Sequence, residues 1–158
     1  MSSEKQKYLS SEGFERIKKE LIELRVERRK EIAERLEYAK SLGDLTENSE
    51  YQEAKEEQLK NEARIAELEI LLAKAVLISK SSNQSIISLG STIIVKRENS
   101  DNPPEEYVIV GSEEADPKGK KISNESPLGR AFLGRKKGDV VLVAAPKGQL
   151  AYHILWVI

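Results

Sequence analysis

Cysteine is absent from the 158 residues. Its absence excludes disulfides, thiolate metal sites and a thiol nucleophile, and it agrees with a reducing compartment. Aromatic residues are scarce, at 5%, and unevenly spread. Neither sign of charge is in excess: 26 basic residues face 27 acidic ones, for a net charge of −1 and a pI near 6.0. No whole-protein basic field therefore advertises nucleic acid, so any such role is local or borrowed from a partner. No apolar run approaches the ~20 residues needed to span a bilayer, and Met1-Ser-Ser-Glu-Lys-Gln-Lys7 leads into no apolar signal core. A cytoplasmic protein without membrane contact is expected. His153 is the only histidine; with no second imidazole or thiolate near it in sequence, its default reading is a strand-surface residue.

Hydrophobic residues make up 39% and charged residues 34%, a balance that fits one modest core plus an elongated, solvated element. Pro and Gly are nearly missing from the first half, where Gly43 is the only glycine between residues 14 and 89. Ser10-Ser11-Glu12 is a helix start with a serine cap and an acidic first turn. Phe14, Ile17, Leu21 and Leu24 then recur at spacings of three and four; the seam passes Arg28 and resumes at Ile32, Leu36, Ala39 and Leu42. After a short break, Tyr51, Ala54, Gln58, Ile65, Leu68, Leu72 and Ala75 form a second seam. Two runs of about thirty residues, each about 45 Å long at 1.5 Å per residue, predict an antiparallel coiled-coil hairpin. Its middle is polar, with Arg28, Glu31 and Arg35 set near Gln58, Asn61, Glu62 and Arg64. That layer is read either as a register-fixing device or as a partner surface on the shaft.

Residues 79–85 are polar and aperiodic and read as a linker. Beyond them the pattern turns to strands at 91–98, 106–110, 140–144 and 151–157. Residues 126–134 hold a serine cap, Pro127 at the first helical position and a closing glycine, and predict a short helix. The expected fold is α+β: a hairpin over residues 1–78, then a small antiparallel sheet with one helix over 86–158. Phe132 and Trp156 are expected in its core.

At the break between the helical runs lies Gly43-Asp44-Leu45-Thr46-Glu47-Asn48-Ser49-Glu50-Tyr51. Asp44 and Glu47 have the spacing of a capping box, and acidic groups are favoured at a helix N-terminus. The other reading is functional: two carboxylates on one side of a tip are half of a site for a hard divalent cation. Mg²⁺ needs phosphates or further carboxylates to complete its shell, so a partner would supply the rest.

This stretch resembles the tip motif of the bacterial Gre transcript-cleavage factors, GDL-x-EN-x-EY. Arg28-Arg29, Ile109-Val-Gly-Ser-Glu-Glu-Ala-Asp116 and Ile122-Ser-Asn-Glu-Ser-Pro-Leu-Gly-Arg-Ala131 match further family segments in order, from about Leu9 to the C-terminus. Lys30 stands where many relatives have Pro. The resemblance implies a monomeric transcription elongation factor whose coiled coil enters the secondary channel of a backtracked bacterial RNA polymerase. There Asp44 and Glu47 would help hold a Mg²⁺ shared with the polymerase and activate water, so that the polymerase cleaves its own nascent RNA. Lys40 and Lys55 occupy the positions of basic residues that guide the RNA 3′ end, among Glu37, Glu50, Glu53, Glu56 and Glu57, so ordinary solvated helix charge is the competing reading. Asn48, Glu50 and Tyr51 would support the tip. The second domain would be FKBP-like and dock on the channel rim without reading base sequence, with no enzymatic activity of the chain's own. Two alternatives are a channel binder that inhibits transcription, and a coiled-coil chaperone with a prolyl isomerase domain offering Tyr107, Phe132, Tyr152 and Trp156.

Overall fold

The computed structural model describes residues 5–79 and 85–158. Apart from its two ends, the expected linker at 79–85 lies outside the described residues. The chain divides into two compact units, Phe14–Lys74 and a second made of Met1–Gly13 with Ala75–Ile158. The segments flanking the hairpin, which the sequence reading grouped with it, thus cluster with the sheet.

In the first unit one arm consists of α1 (Ser11–Glu23), a π-helical turn at Leu24–Arg28 and α2 (Arg29–Ser41); the other is the single helix α3 (Ser49–Lys74). The π turn answers a mismatch in the sequence. Continuing the 3-4-3 spacing of Phe14, Ile17, Leu21 and Leu24 would bring Arg28, Glu31, Arg35 and Tyr38 into the seam. The residues that are buried instead are Ile32, Leu36 and Ala39, each one position later, while Tyr38 is 62% exposed. The arm holds one residue more than a continuous heptad allows, and the wider turn absorbs it. On α3 the spacing is uninterrupted: Tyr51, Ala54, Gln58, Asn61, Ile65, Leu68, Leu72. Ala54, Asn61, Ile65 and Leu68 are buried. Two seam assignments fail. Leu42 is exposed because α2 has ended, and Ala75 opens a strand.

The polar layer forms with different partners from those expected. Arg28 meets Glu57 and Glu31, Arg29 meets Glu62, Arg64 meets Glu20 and Glu67, and Arg25 meets Glu69. All of these side chains are at least one-third exposed, so each pair contributes little to stability.

In the second unit β1 (Lys7–Leu9) and β2 (Ala75–Leu77) pair in parallel as a small sheet of their own. Ser10 caps α1: its Oγ accepts from the Gly13 N–H at 3.0 Å and donates to the buried Glu114 at 2.6 Å. The main sheet has the order β5-β4-β3-β7-β6, with β3 at Thr92–Arg97, β4 at Glu105–Val110, β5 at Lys121–Ser123, β6 at Val140–Ala145 and β7 at Gly148–Val157. Four strands are antiparallel neighbours, as expected; β5 adds in parallel to β4 at one edge, which makes the sheet mixed. The helix α4 (Pro127–Phe132) starts as predicted, with Ser126 Oγ accepting from the Gly129 N–H at 3.0 Å and Pro127 in the first turn. It delivers Phe132 to a core of Ile87, Ile93, Val95, Ile109, Val141, Val143 and Ile154. Phe132 also meets the Tyr152 ring edge-on at 5.8 Å.

Trp156 is not in that core. The β3–β7 ladder slips between Ile94 and Val95, whose partners are Trp156 and Ile154, leaving Leu155 as an extra residue. A bulge reverses the alternation beyond it, so Ile154 is buried while Trp156 is 55% exposed, with Lys137 Nζ 3.3 Å from its ring centroid. The four aromatics offered for a prolyl isomerase pocket therefore do not share one face. His153 does lie on a strand, with Nε2 3.6 Å from Glu98.

The acidic tip of the helical hairpin

After Ser41 the chain leaves the helix through Leu42 and Gly43. Gly43 has φ of +125° and open space where a side chain would begin. Conformation, not crowding, is what demands glycine here. Asp44 then folds the loop on itself. Its Oδ1 accepts from both the Thr46 N–H at 3.0 Å and the Thr46 hydroxyl at 2.9 Å. These two bonds, the backbone one first, hold the Asp44 carboxyl below its ordinary range. Asp44 is thus anionic at neutral pH, with Oδ2 without a partner among the described residues. Glu47 is exposed and makes no hydrogen bond or ion pair among the described residues.

The second arm starts at Asn48, not at the acids. Asn48 Oδ1 accepts from the Tyr51 N–H at 3.0 Å, the geometry of an N-cap. Its Nδ2 donates across to the Ala39 carbonyl at 2.6 Å, near the end of α2. One side chain therefore caps one helix and ties it to the other. The capping-box reading of Asp44 and Glu47 is overturned, because Asp44 is committed to an Asx turn and Asn48 already fills the cap.

Below the loop, Arg35 of α2 reaches three carboxylates of α3: Glu50 at 2.5 Å, Glu53 at 3.1 Å and Glu57 at 2.9 Å. Its hydrogen bonds to Glu50 and Glu57 raise the guanidinium further, and that from Arg35 lowers the Glu50 carboxyl. Tyr51 packs on Ile32, Leu36 and Ala54. Lys55 Nζ lies 6.0 Å from the Tyr51 ring centroid and 3.1 Å from Gln58 Oε1. Lys40 is exposed in the last turn of α2, so the two lysines rise from different arms. No cluster of three or more His, Asp or Glu that could hold a metal ion occurs among the described residues. The tip's donor set is two hard oxygen ligands, which fit a shared Mg²⁺ shell and are too few for a closed one.

The sequence profile described as the N-terminal part of transcription elongation factors matches residues 7–77, and that described as the GreA/GreB C-terminal part matches residues 82–158. The chain belongs to the GreA/GreB family of transcription elongation factors. The transcription elongation factor GreA of Alkaliphilus oremlandii is 49% identical over 98% of each chain, and that of Clostridioides difficile is 47% identical over the same share. Among solved structures, GreA factor homolog 1 of Thermus thermophilus is 29% identical over 98% of this chain and 99% of that one, with a TM-score of 0.44.

In this GreA-type chain Asp44 and Glu47 both lie on the loop joining α2 and α3, followed by Asn48, Glu50 and Tyr51 at the start of α3. Two contributors were missed by sequence reasoning. Thr46 was the variable position of the motif, yet it supplies both bonds that hold Asp44. Arg35 was placed in the mid-shaft layer, yet it binds glutamates in the first three turns of α3. The signal for Arg35 was present: glutamates at 50, 53 and 57 share one helical face. No helix is long and apolar enough to cross a membrane among the described residues.

Proposed function

We propose that this chain enters the secondary channel of bacterial RNA polymerase tip first and stimulates the polymerase's own cleavage of nascent RNA in backtracked complexes, letting elongation resume. The observation that carries this reading is the pair Asp44 and Glu47 on a loop at the end of a two-helix shaft, with Glu47 unpartnered among the described residues. Carboxylates so exposed suit insertion into another protein's active centre. Asp44, preset as an anion by Thr46, and Glu47 would hold a Mg²⁺ completed by the polymerase's carboxylates. That ion supplies Lewis-acid stabilisation of the phosphorus centre and a lowered pKa for bound water. Glu47 orients and accepts a proton from the attacking water, while Asp44 is held in place by the Asx turn. Lys40 and Lys55 attract the RNA 3′ segment from opposite arms. The sheet unit docks on the polymerase through protein contacts.

The chain acts as a cytoplasmic monomer and is not an enzyme alone, since the phosphodiester chemistry uses the polymerase's catalytic centre. The test is a halted, backtracked elongation complex with Mg²⁺, in which short 3′ RNA fragments are followed. The wild type is expected to accelerate their release, and Asp44→Asn with Glu47→Gln to abolish the acceleration at unchanged helical content. Equal acceleration by both proteins would remove the acids from the mechanism.

A further inference from the structure

An ionised carboxylate offers about four lone-pair directions, two on each oxygen. At the tip, both directions of one oxygen are taken. Asp44 Oδ1 accepts from the Thr46 N–H at 3.0 Å and from the Thr46 hydroxyl at 2.9 Å, while Oδ2 has no partner among the described residues. The donors are themselves held. Thr46 is β-branched, so its hydroxyl has few rotamers to choose from. The carbonyl before it, that of Leu45, accepts from Gln52 Nε2 of α3 at 3.4 Å. Asp44 thus turns a single open oxygen outward. The backbone bond alone would make the Asx turn and leave Oδ1 one free direction. The hydroxyl closes it.

That difference decides how a cation is gripped. A carboxylate with both oxygens open can take a large ion bidentately, as Ca²⁺ sites of about six to eight ligands do. Mg²⁺ demands a near-ideal octahedron at about 2.0–2.1 Å, and the two oxygens of one carboxylate span too narrow an angle for neighbouring corners. We propose that Thr46 is a positioning residue that restricts Asp44 to one-oxygen coordination, so that the shared site favours Mg²⁺ over Ca²⁺. The proposal rests on the functional reading of Asp44 and Glu47, and it adds which ion that pair selects. The polymerase's ligands are the same whichever residue stands at 46, so the contribution of Thr46 is read as a difference between variants.

Thr46→Val keeps the size, the β-branch and the backbone bond, and removes only the hydroxyl. Thr46→Ser keeps the hydroxyl. In the isolated protein, the carboxyl carbon of Asp44 is followed by NMR through additions of Ca²⁺ and, separately, of Mg²⁺. Association at this half-site is weak, and the comparison between the ions is what counts. Thr46→Val is expected to gain about fivefold for Ca²⁺, the scale of one hydrogen bond no longer competing for Oδ1, with no gain for Mg²⁺. Thr46→Ser is expected to match the wild type for both. Equal gains for the two ions, or none, would overturn the proposal.

The same proteins are then added to a halted, backtracked elongation complex at fixed Mg²⁺, and Ca²⁺ is raised until stimulated cleavage is halved. The halving concentration is expected to fall about fivefold in Thr46→Val and to stay at the wild-type value in Thr46→Ser. A loop merely loosened would cleave more slowly at every ratio of the two ions and leave that concentration where it was. An unmoved value in Thr46→Val, with the wild type active, would sink the proposal alone. If no protein of the set stimulates cleavage, the functional reading fails, while the carbon shifts still decide what Thr46 does to Asp44.

Discussion

Asn48 makes two bonds of different kinds, and they can be removed separately. Its Oδ1 caps α3 through the Tyr51 N–H, and its Nδ2 bridges to the Ala39 carbonyl. Losing an N-cap costs about 1 kcal/mol, and losing one half-buried hydrogen bond costs about the same. Asn48→Ala should therefore weaken the closed tip by about 2 kcal/mol, about 30-fold in the local opening equilibrium. Asn48→Ser keeps a capping oxygen and loses only the bridge, so it should cost about 1 kcal/mol, or about fivefold. Native-state exchange of the Tyr51 amide reads this directly, because that proton is the one Asn48 protects. Protection in Asn48→Ala within about twofold of the wild type would refute the dual role. Equal losses in Asn48→Ser and Asn48→Ala would show that the bridge, and not the cap, holds the turn.

Thr46→Val removes the hydroxyl bond to Asp44 and keeps the backbone one, so the Asp44 carboxyl should move part of the way back up towards its ordinary range in a carbon-detected titration. Because the folded-state pKa is depressed, the turn's contribution is present above the unfolded value and is lost as pH falls through the folded one; loosening of the wild-type loop should appear only below about pH 4. An Asp44 titration unchanged in Thr46→Val would discount the hydroxyl. In the sheet unit, Phe132→Ala should lose about 3–5 kcal/mol, since the ring is fully buried and stacked edge-on against Tyr152. Urea unfolding followed at the single tryptophan checks it, and a loss below about 1 kcal/mol would mean that the core collapses around the gap.

The hairpin was legible because two long runs without Pro, broken only at Gly43, leave few alternatives to helix. The caps at Ser10 and Ser126 were legible for the same local reason: the residues that satisfy a helix start are adjacent in sequence. Contacts that depend on register were not. The shift of the seam from 28-31-35-38 to 32-36-39 is visible once the spacing is continued, but its absorption by a π turn depends on what α3 presents opposite. Trp156 was misplaced because the bulge at Leu155 belongs to a strand pair and leaves no local mark. β1, β2 and β5 are three residues each, too short for periodicity. Asp44 and Glu47 are legible by type and position as two carboxylates at the break between the arms, while the bonds of Thr46 to Asp44 and of Arg35 to the glutamates of α3 required the loop and the second arm to be in place.

The pairing of β1 with β2 bears on how the chain is assembled. These strands flank residues 10–74, so joining them in a disordered chain would close a very long loop. Closing such a loop costs about 2 kcal/mol more than closing a short turn. Helix formation and antiparallel pairing within Phe14–Lys74 are local by comparison, so they are expected to bring the two ends together first. The hairpin then serves its own protein as a folding template before it serves any partner. As the chain leaves the ribosome, β1 must wait for α3 to be complete before its mate, β2, is available.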